Sequence, residues 1–152
     1  MQTALSVARL DMPAERRQPT GWRVVLATVA AIIGSVAADA VVVAIGEAVF
    51  PATKGYAHFQ FADYTKLTVI GVIIACAAWP IATRVTSTPQ WLFSRLAILV
   101  TLVLWLPDLY ILYRGQPTDA VGVLMIMHVV IAVVAYQALV RFAPQRAALI
   151  RG

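Results

Sequence analysis

Residues 24–50 read VVLATVAAIIGSVAADAVVVAIGEAVF, an apolar run in which Asp39 and Glu47 are the only charged residues. An α-helix rises about 1.5 Å per residue, so this run is long enough to cross the roughly 30 Å hydrocarbon core of a membrane. It lacks the alternation of apolar and polar residues that is typical of a membrane β-strand. The stretch therefore predicts a membrane-spanning helix.

Three further apolar runs follow the first one. They cover residues 64–81, 91–113 and 120–142, and proline and glycine residues separate the runs. The 152-residue chain is 61% hydrophobic and 12% charged, whereas soluble domains carry about 25% charged residues. We therefore predict an all-α, polytopic membrane protein built as a bundle of four transmembrane helices.

The basic residues are divided unequally between the two sides of this predicted bundle. Three of them lie on the side of the first connection: Lys54, Lys66 and Arg114. Nine lie on the side of the two termini: Arg9, Arg16, Arg17, Arg23, Arg84, Arg95, Arg141, Arg146 and Arg151. Cytoplasmic loops carry an excess of basic residues, so we expect both termini in the cytoplasm and the bundle in the plasma membrane.

The same pattern divides the chain into three parts. We expect a flexible cytoplasmic segment over residues 1–21, the transmembrane domain over 22–143 and a cytoplasmic tail over 144–152. The net charge of +5 would point to nucleic acid in a soluble protein. Here the basic residues lie at predicted membrane edges, so we expect contact with membrane lipid and no nucleic-acid partner.

Three ionisable residues lie inside the apolar runs: Asp39, Asp108 and His128. Counting the helical rise places Asp39 about 22 Å and Asp108 about 24 Å from the cytoplasmic side, and His128 about 12 Å from the outer side. All three therefore fall at a common depth in the outer half of the membrane. Ionisable groups inside a membrane are costly and by default mark a functional site.

Further candidates, above all Glu47, Lys66 and Tyr110, extend this set. Glu47 lies two helical turns nearer the outer side than Asp39, and Lys66 begins the second run at that level, where it can pair with Glu47 or Asp63. Hydroxyl groups for the same lining come from Tyr110, Thr68 and Ser35.

The intramembrane residues allow several interpretations. Asp39 or Asp108 can bond His128 and fix the helix register, or the residues can line a ligand pocket that opens to the outer side. A carboxyl group can also carry a proton in transport. Two carboxylates and one histidine have the ligand count of a facial triad, but no diagnostic spacing supports it. We expect no metal and no cofactor.

Small residues predict how the helices pack. Ala30, Gly34 and Ala38 lie four residues apart in the first run, and Gly71 and Ala75 share this spacing in the second. Such faces allow close approach of helix backbones in lipid. We expect the first and second helices to pack tightly on each other, although the same faces can also form a dimer.

Two short motifs resemble a known family. Leu106-Pro107-Asp108-Leu109 in the third run and Met127-His128 in the fourth are similar to a family of small actinobacterial four-helix membrane proteins of unassigned function. The resemblance covers residues 24–142. It implies a four-span fold in an actinobacterial plasma membrane, and it supplies no catalytic residue.

Three hypotheses for the function follow. The first is a non-enzymatic membrane protein that acts by association, as an accessory subunit of a larger complex or as a homo-oligomer, because catalytic motifs are missing and small-residue faces are present. The second is a small carrier or binder of an apolar or amphiphilic ligand, or a proton-coupled transporter. The third is a membrane enzyme with His128 and Asp108 as an acid–base pair.

Overall fold

The structure is a computed structural model that describes residues 9–11 and 16–147. It contains four long helices: α1 (Gly21–Val49), α2 (Phe61–Val85), α3 (Pro89–Tyr113) and α4 (Thr118–Phe142). Each is long and apolar enough to cross a membrane, which confirms the all-α fold and indicates a multi-pass membrane protein. The parts of the predicted N-terminal segment and tail at residues 1–8, 12–15 and 148–152, with Arg151, lie outside the described residues.

The bundle has two distinct ends. The terminal end holds the start of α1, the α2–α3 connection and the end of α4, and the loop end holds the α1–α2 and α3–α4 connections. The α1–α2 connection contains two short 3₁₀ helices, Pro51–Thr53 and Ala57–Phe59. These connections are short, so helices that follow each other in sequence run antiparallel.

Helix α1 is buried along one narrow stripe and packs most extensively against α4. The buried residues are Ala27, Ala31, Ser35, Asp39, Val43 and Gly46, which recur about every four positions. A Cβ atom on Gly46 would lie 2.7 Å from Val123 Cγ2, and one on Gly34 would lie 2.9 Å from Val134 Cγ1. The absence of side chains at these two positions therefore allows α4 to approach the α1 backbone.

This packing differs from the expected close pairing of the first two helices. The glycine of the α1 small-residue face contacts α4, where stiff, β-branched valines fill the space above it. A Cβ atom on Gly71 of α2 would meet no atom within 4 Å, so this glycine is not in a close contact, although Ala75 packs against the core and α2 still packs on α1. Spacing alone identified the small faces but not the helix that each one meets.

The interior is divided into two apolar clusters along the membrane normal. Near the terminal end, the rings of Trp79 and Phe93 meet edge to face at 5.2 Å, and Trp79 Nε1 donates to the Ala143 carbonyl at 2.8 Å. Near the loop end, Phe59 from the α1–α2 connection packs with Val43 and Met127. The connection therefore folds down onto the bundle and closes its loop end.

The described part of the N-terminal segment, which we expected to be flexible, makes defined contacts at the terminal end. Arg16 and Arg17 form a two-residue antiparallel pairing with Ala147 and Arg146, so the segment before α1 meets the segment after α4. The Thr86 hydroxyl donates to the Arg9 carbonyl at 2.6 Å. These backbone and side-chain hydrogen bonds join residues far apart in sequence.

Close packing of α1 on α4 predicts a position-dependent effect of adding one methyl group. We expect Gly46→Ala to lower the free energy of unfolding by about 1–3 kcal/mol, because the new Cβ would overlap Val123. Adding Val123→Ala removes the obstructing methyl groups and recovers part of the loss. The measurement is thermal unfolding of the purified protein in detergent.

The matched control is Gly71→Ala, where a Cβ atom meets open space. Alanine is favoured over glycine in a helix by about 0.5–1 kcal/mol, so this variant should be as stable as the parent protein or slightly more stable. Equal destabilisation by Gly46→Ala and Gly71→Ala would contradict the assignment of the α1–α4 contact.

Candidate functional site

Asp39 is fully buried at the middle of α1 and receives a hydrogen bond from α2. The Thr68 hydroxyl donates to Asp39 Oδ2 at 2.6 Å, which is short and typical of a hydroxyl bound to a carboxylate. Asp39 Oδ1 is buried and has no hydrogen-bond partner among the described residues. One side of the carboxyl group is therefore satisfied and the other is not.

Asp108 and His128 form a second pair, between α3 and α4. His128 Nδ1 lies 3.1 Å from Asp108 Oδ2, and Asp108 is buried while the His128 side chain keeps 26% of its surface exposed. The two atoms are close but poorly aligned, because neither makes a hydrogen bond that meets the angular requirement. The contact is therefore electrostatic, and both atoms can still form a hydrogen bond with another group.

The two pairs are electrostatically connected through His128. The imidazole is close enough to interact with the carboxyl groups of both Asp39 and Asp108. The structure thus brings the three predicted residues into one polar cluster, which we define as Asp39, Thr68, Asp108 and His128. The imidazole contacts Asp108 directly, whereas Asp39 is bonded to Thr68, and together the two carboxyl groups give the cluster more acceptor atoms than donors.

The α1–α2 connection covers this cluster at the loop end. Burial, and then the negative charge of Asp108, raise the pKa of Tyr56, so this phenol stays protonated. Its hydroxyl is buried and has no hydrogen-bond partner within the described residues. The Tyr56 ring is held edge to face against Phe59 at 5.2 Å. An unused hydroxyl donor therefore lies close to a cluster that is rich in acceptors.

The remaining predicted site residues lie outside the cluster. Tyr110 is 61% exposed, on the outer surface of α3, and Lys66 is exposed on α2. Glu47 is half-buried, and no ion pair joins it to Lys66 in the part of the chain that the structure describes. Asp63 instead meets His58, with Nδ1 and Oδ2 3.3 Å apart.

The cluster does not have the arrangement of a metal site. Across residues 9–11 and 16–147, no group of three or more histidine, cysteine or acidic side chains is placed to hold a metal ion. The nearest partner of Asp39 is the hydroxyl of Thr68, so the carboxylates and imidazole do not form a facial triad.

A groove between α3 and α4 lies on the outer surface of the bundle, and one end of it is near Asp108 and His128 in sequence. It encloses about 360 Å³ and is lined by Ala97, Thr101 and Trp105 of α3 and by Val129 and Ala132 of α4, among others. Trp105 Nε1 donates to the carbonyl of Met125, which fixes the indole at the upper end of the groove. Asp108 lies one helical turn beyond Trp105, and His128 immediately precedes Val129.

Sequence reasoning missed two parts of this site. The groove depends on which faces of α3 and α4 meet, and no local pattern specifies that. Tyr56 is not among the predicted site residues, whereas its hydroxyl is buried and the charge of Asp108 contributes to its raised pKa. The aromatic residues of the α1–α2 connection were the available signal, because they pack down onto the loop end of the bundle.

Comparison with known proteins gives no relative from which a role for these residues can be transferred. No family model matches the chain, and no curated protein or solved structure matches it. The resemblance to actinobacterial four-helix membrane proteins therefore stays a prediction.

The hydrogen bond between Thr68 and Asp39 predicts a measurable coupling between α1 and α2. We expect Thr68→Val to lower the free energy of unfolding by about 1–3 kcal/mol, because it leaves a fully buried carboxyl group without its donor. In an Asp39→Leu background the same change should cost much less, since no acceptor remains. Chemical unfolding of the four proteins in detergent measures the coupling.

Thr101→Val is the matched control, because the Thr101 hydroxyl donates only to the Ala97 carbonyl of its own helix. That carbonyl also has its helical partner, so the expected change is small. If Thr68→Val cost the same with and without Asp39, the two side chains would not be coupled.

Proposed function

We propose that this protein is a non-enzymatic membrane protein that binds an amphiphilic ligand in the groove between α3 and α4. The observation that carries the proposal is the position of the groove, which ends one helical turn from the Asp108–His128 pair. An apolar chain would lie in the groove, and its polar end would reach the cluster.

The groove has the size and chemistry of a ligand site. Its volume of about 360 Å³ falls within the roughly 300–1,000 Å³ of small-molecule pockets. Small side chains at Ala97 and Ala132 create the space, and the polar groups of the lining come from Ser94, Thr101, Tyr136 and Gln137. A mainly apolar lining with a few polar groups at one end is the usual form of such sites.

The cluster selects the polar group of the ligand. Carboxylate oxygens accept hydrogen bonds and do not donate them, and Asp39 Oδ1 and Asp108 Oδ2 both lack an aligned donor. An unpaired buried carboxyl group is costly, so a hydroxyl or ammonium group that reached it would be bound favourably. The preferred ligand is therefore an apolar chain that ends in a hydrogen-bond donor.

A second candidate function is association with another membrane protein or with a second copy of the chain. Helix α3 is the least buried of the four helices, and it exposes leucine and valine side chains along most of its length. Another transmembrane helix on this face would cover the groove. The acid–base and proton-transfer hypotheses would use the same Asp108–His128 pair.

The location that we propose is the plasma membrane, with both termini in the cytoplasm. Its support is the nine-to-three distribution of basic residues between the terminal end and the loop end. Under this proposal the polar cluster lies in the outer half of the membrane, beneath the α1–α2 connection.

Filling the groove should remove ligand binding. We expect Ala132→Phe to abolish most of the quenching of Trp105 fluorescence by 11-bromoundecanol in nanodiscs, because the new ring would occupy the groove beside this indole. The quenching of Trp105 alone is the total fluorescence quenching of a protein minus the quenching of the same protein that also carries Trp105→Phe. The control is Ala77→Phe, a same-size change at an exposed position on α2.

The polar end of the probe gives a second test. The alcohol and 11-bromoundecylamine should quench more strongly than 11-bromoundecanoate, whose ionised carboxylate has no donor and meets two acidic residues. Two results would contradict the ligand site: equal quenching by all three probes, or an equal loss of quenching in Ala132→Phe and Ala77→Phe. A dimer in mild detergent that Ala132→Phe dissociates would favour the association function instead.

The orientation can be tested with one matched pair of variants. Gln90→Cys lies at the terminal end and Gln116→Cys at the loop end, and both positions are exposed. The native Cys76 is buried, so it gives little background labelling. In intact cells a membrane-impermeant maleimide should label Gln116→Cys, and it should label Gln90→Cys only after permeabilisation. The reverse pattern would overturn the proposed orientation.

A further inference from the structure

A second cavity lies at the terminal end of the bundle, where the segments before α1 and after α4 meet the α2–α3 connection. It encloses about 350 Å³ and is lined mainly by polar residues. The side chains that matter here are those of Arg9, Arg16, Trp91 and Gln145. This cavity is separate from the groove and from the polar cluster, so it is independent of the function proposed above.

The cavity is strongly basic. The Arg9 guanidinium lies 5.0 Å from the centre of the Trp91 ring, and the Arg95 guanidinium lies 4.5 Å from the same ring. Arg16 lines the cavity from the paired strand, and the hydrogen bond from Thr86 to the Arg9 carbonyl fixes the backbone beside it. Two guanidinium groups therefore lie against one indole, and a third lines the same cavity.

One acidic residue opposes these charges. Asp11 Oδ1 accepts a hydrogen bond from the Ser87 backbone N–H at 2.7 Å, and the Ser87 hydroxyl and N–H hold the pKa of Asp11 below its usual value. The Asp11 carboxylate is thus ionised, and its hydrogen bond is made to the α2–α3 connection. In the described part of the chain, no carboxylate lies within ion-pair distance of Arg9, Arg16 or Arg95. A net positive charge remains for a ligand.

Gln145 adds a complementary acceptor to the lining. Its Nε2 donates to the carbonyls of Thr83 at 2.6 Å and Thr86 at 3.2 Å, which orients the amide. Its Oε1 atom is buried and has no donor among the described residues. A ligand in this cavity would therefore gain from carrying a hydrogen-bond donor as well as a negative charge.

We infer that this cavity binds a phosphate ester that carries a free hydroxyl group. The phosphate oxygens accept hydrogen bonds from Arg9 and Arg16, whose planar guanidinium groups match phosphate geometry, and the hydroxyl donates to Gln145 Oε1. Two sources share this chemistry: the headgroup of phosphatidylglycerol and soluble glycerol 3-phosphate. The tryptophan beside the arginines is a residue type that favours the membrane interface.

The test is lipid binding to the full chain by native mass spectrometry in detergent. Phosphatidylglycerol should bind the parent protein more tightly than phosphatidylcholine does, and Arg9→Gln/Arg16→Gln should weaken its binding by about tenfold or more. The control is Arg84→Gln/Arg141→Gln, which removes the same charge from exposed positions at the same end of the bundle. An equal loss in both double variants would show a general surface-charge effect and overturn the site.

The hydroxyl contact is tested with phosphatidylmethanol, which has the same charge and no free hydroxyl. The parent protein should prefer phosphatidylglycerol, and Gln145→Leu should abolish that preference, while equal binding of both lipids by the parent would overturn the role of Gln145. Competition by glycerol 3-phosphate identifies a soluble ligand, and its failure to compete identifies the lipid headgroup. The whole proposal would be overturned if phosphatidylglycerol bound no more tightly than phosphatidylcholine and glycerol 3-phosphate did not bind either.

Discussion

The close contact between α1 and α4 is the constraint on which the rest of the structure depends. In a membrane, lipid tails are as apolar as the helix surfaces, so helices gain stability through close packing and interhelical hydrogen bonds rather than by leaving water. Gly34 and Gly46 leave no room for a Cβ atom against the valines of α4. The stripe that contains Gly46 also contains Asp39, so the same contact places that carboxyl group in the interior.

Burial of Asp39 then decides how α2 is attached. A carboxyl group in an apolar interior needs a donor, and Thr68 provides it from α2. The buried carboxyl group of α3 has its own partner, because Asp108 lies against His128 of α4. Both pairings are incomplete, because Asp39 Oδ1, Asp108 Oδ2 and the Tyr56 hydroxyl keep unused bonding capacity. Buried polar groups in a purely structural network are fully paired, so this surplus is the feature on which the proposed ligand site rests.

The molecule carries different chemistry at its two levels. The acidic groups and the histidine lie toward the loop end, and the apolar groove runs from near their level toward the terminal end. The terminal end itself combines arginines, tryptophan and a buried amide oxygen. The acidic cluster favours a ligand with a hydrogen-bond donor at the end of an apolar chain. The arginines favour a phosphate group. An amphiphilic ligand and an anionic headgroup are both components of a membrane environment, so the two proposed sites are compatible with one protein without either requiring the other.

The sequence by itself determined the four helices, because length and hydropathy are local properties of each apolar run. It also identified Asp39, Asp108 and His128, because an ionisable residue inside an apolar run can be recognised without knowledge of the fold. The tertiary structure decided which residues meet. Thr68 and Tyr56 are ordinary residues in sequence, and they join the site through helix rotation and loop folding. The tertiary structure also decided that α1 pairs with α4 and that a groove lies beside Ala132. The spacing of small residues defines a helix face, but the partner of that face depends on the shape of the opposing surface.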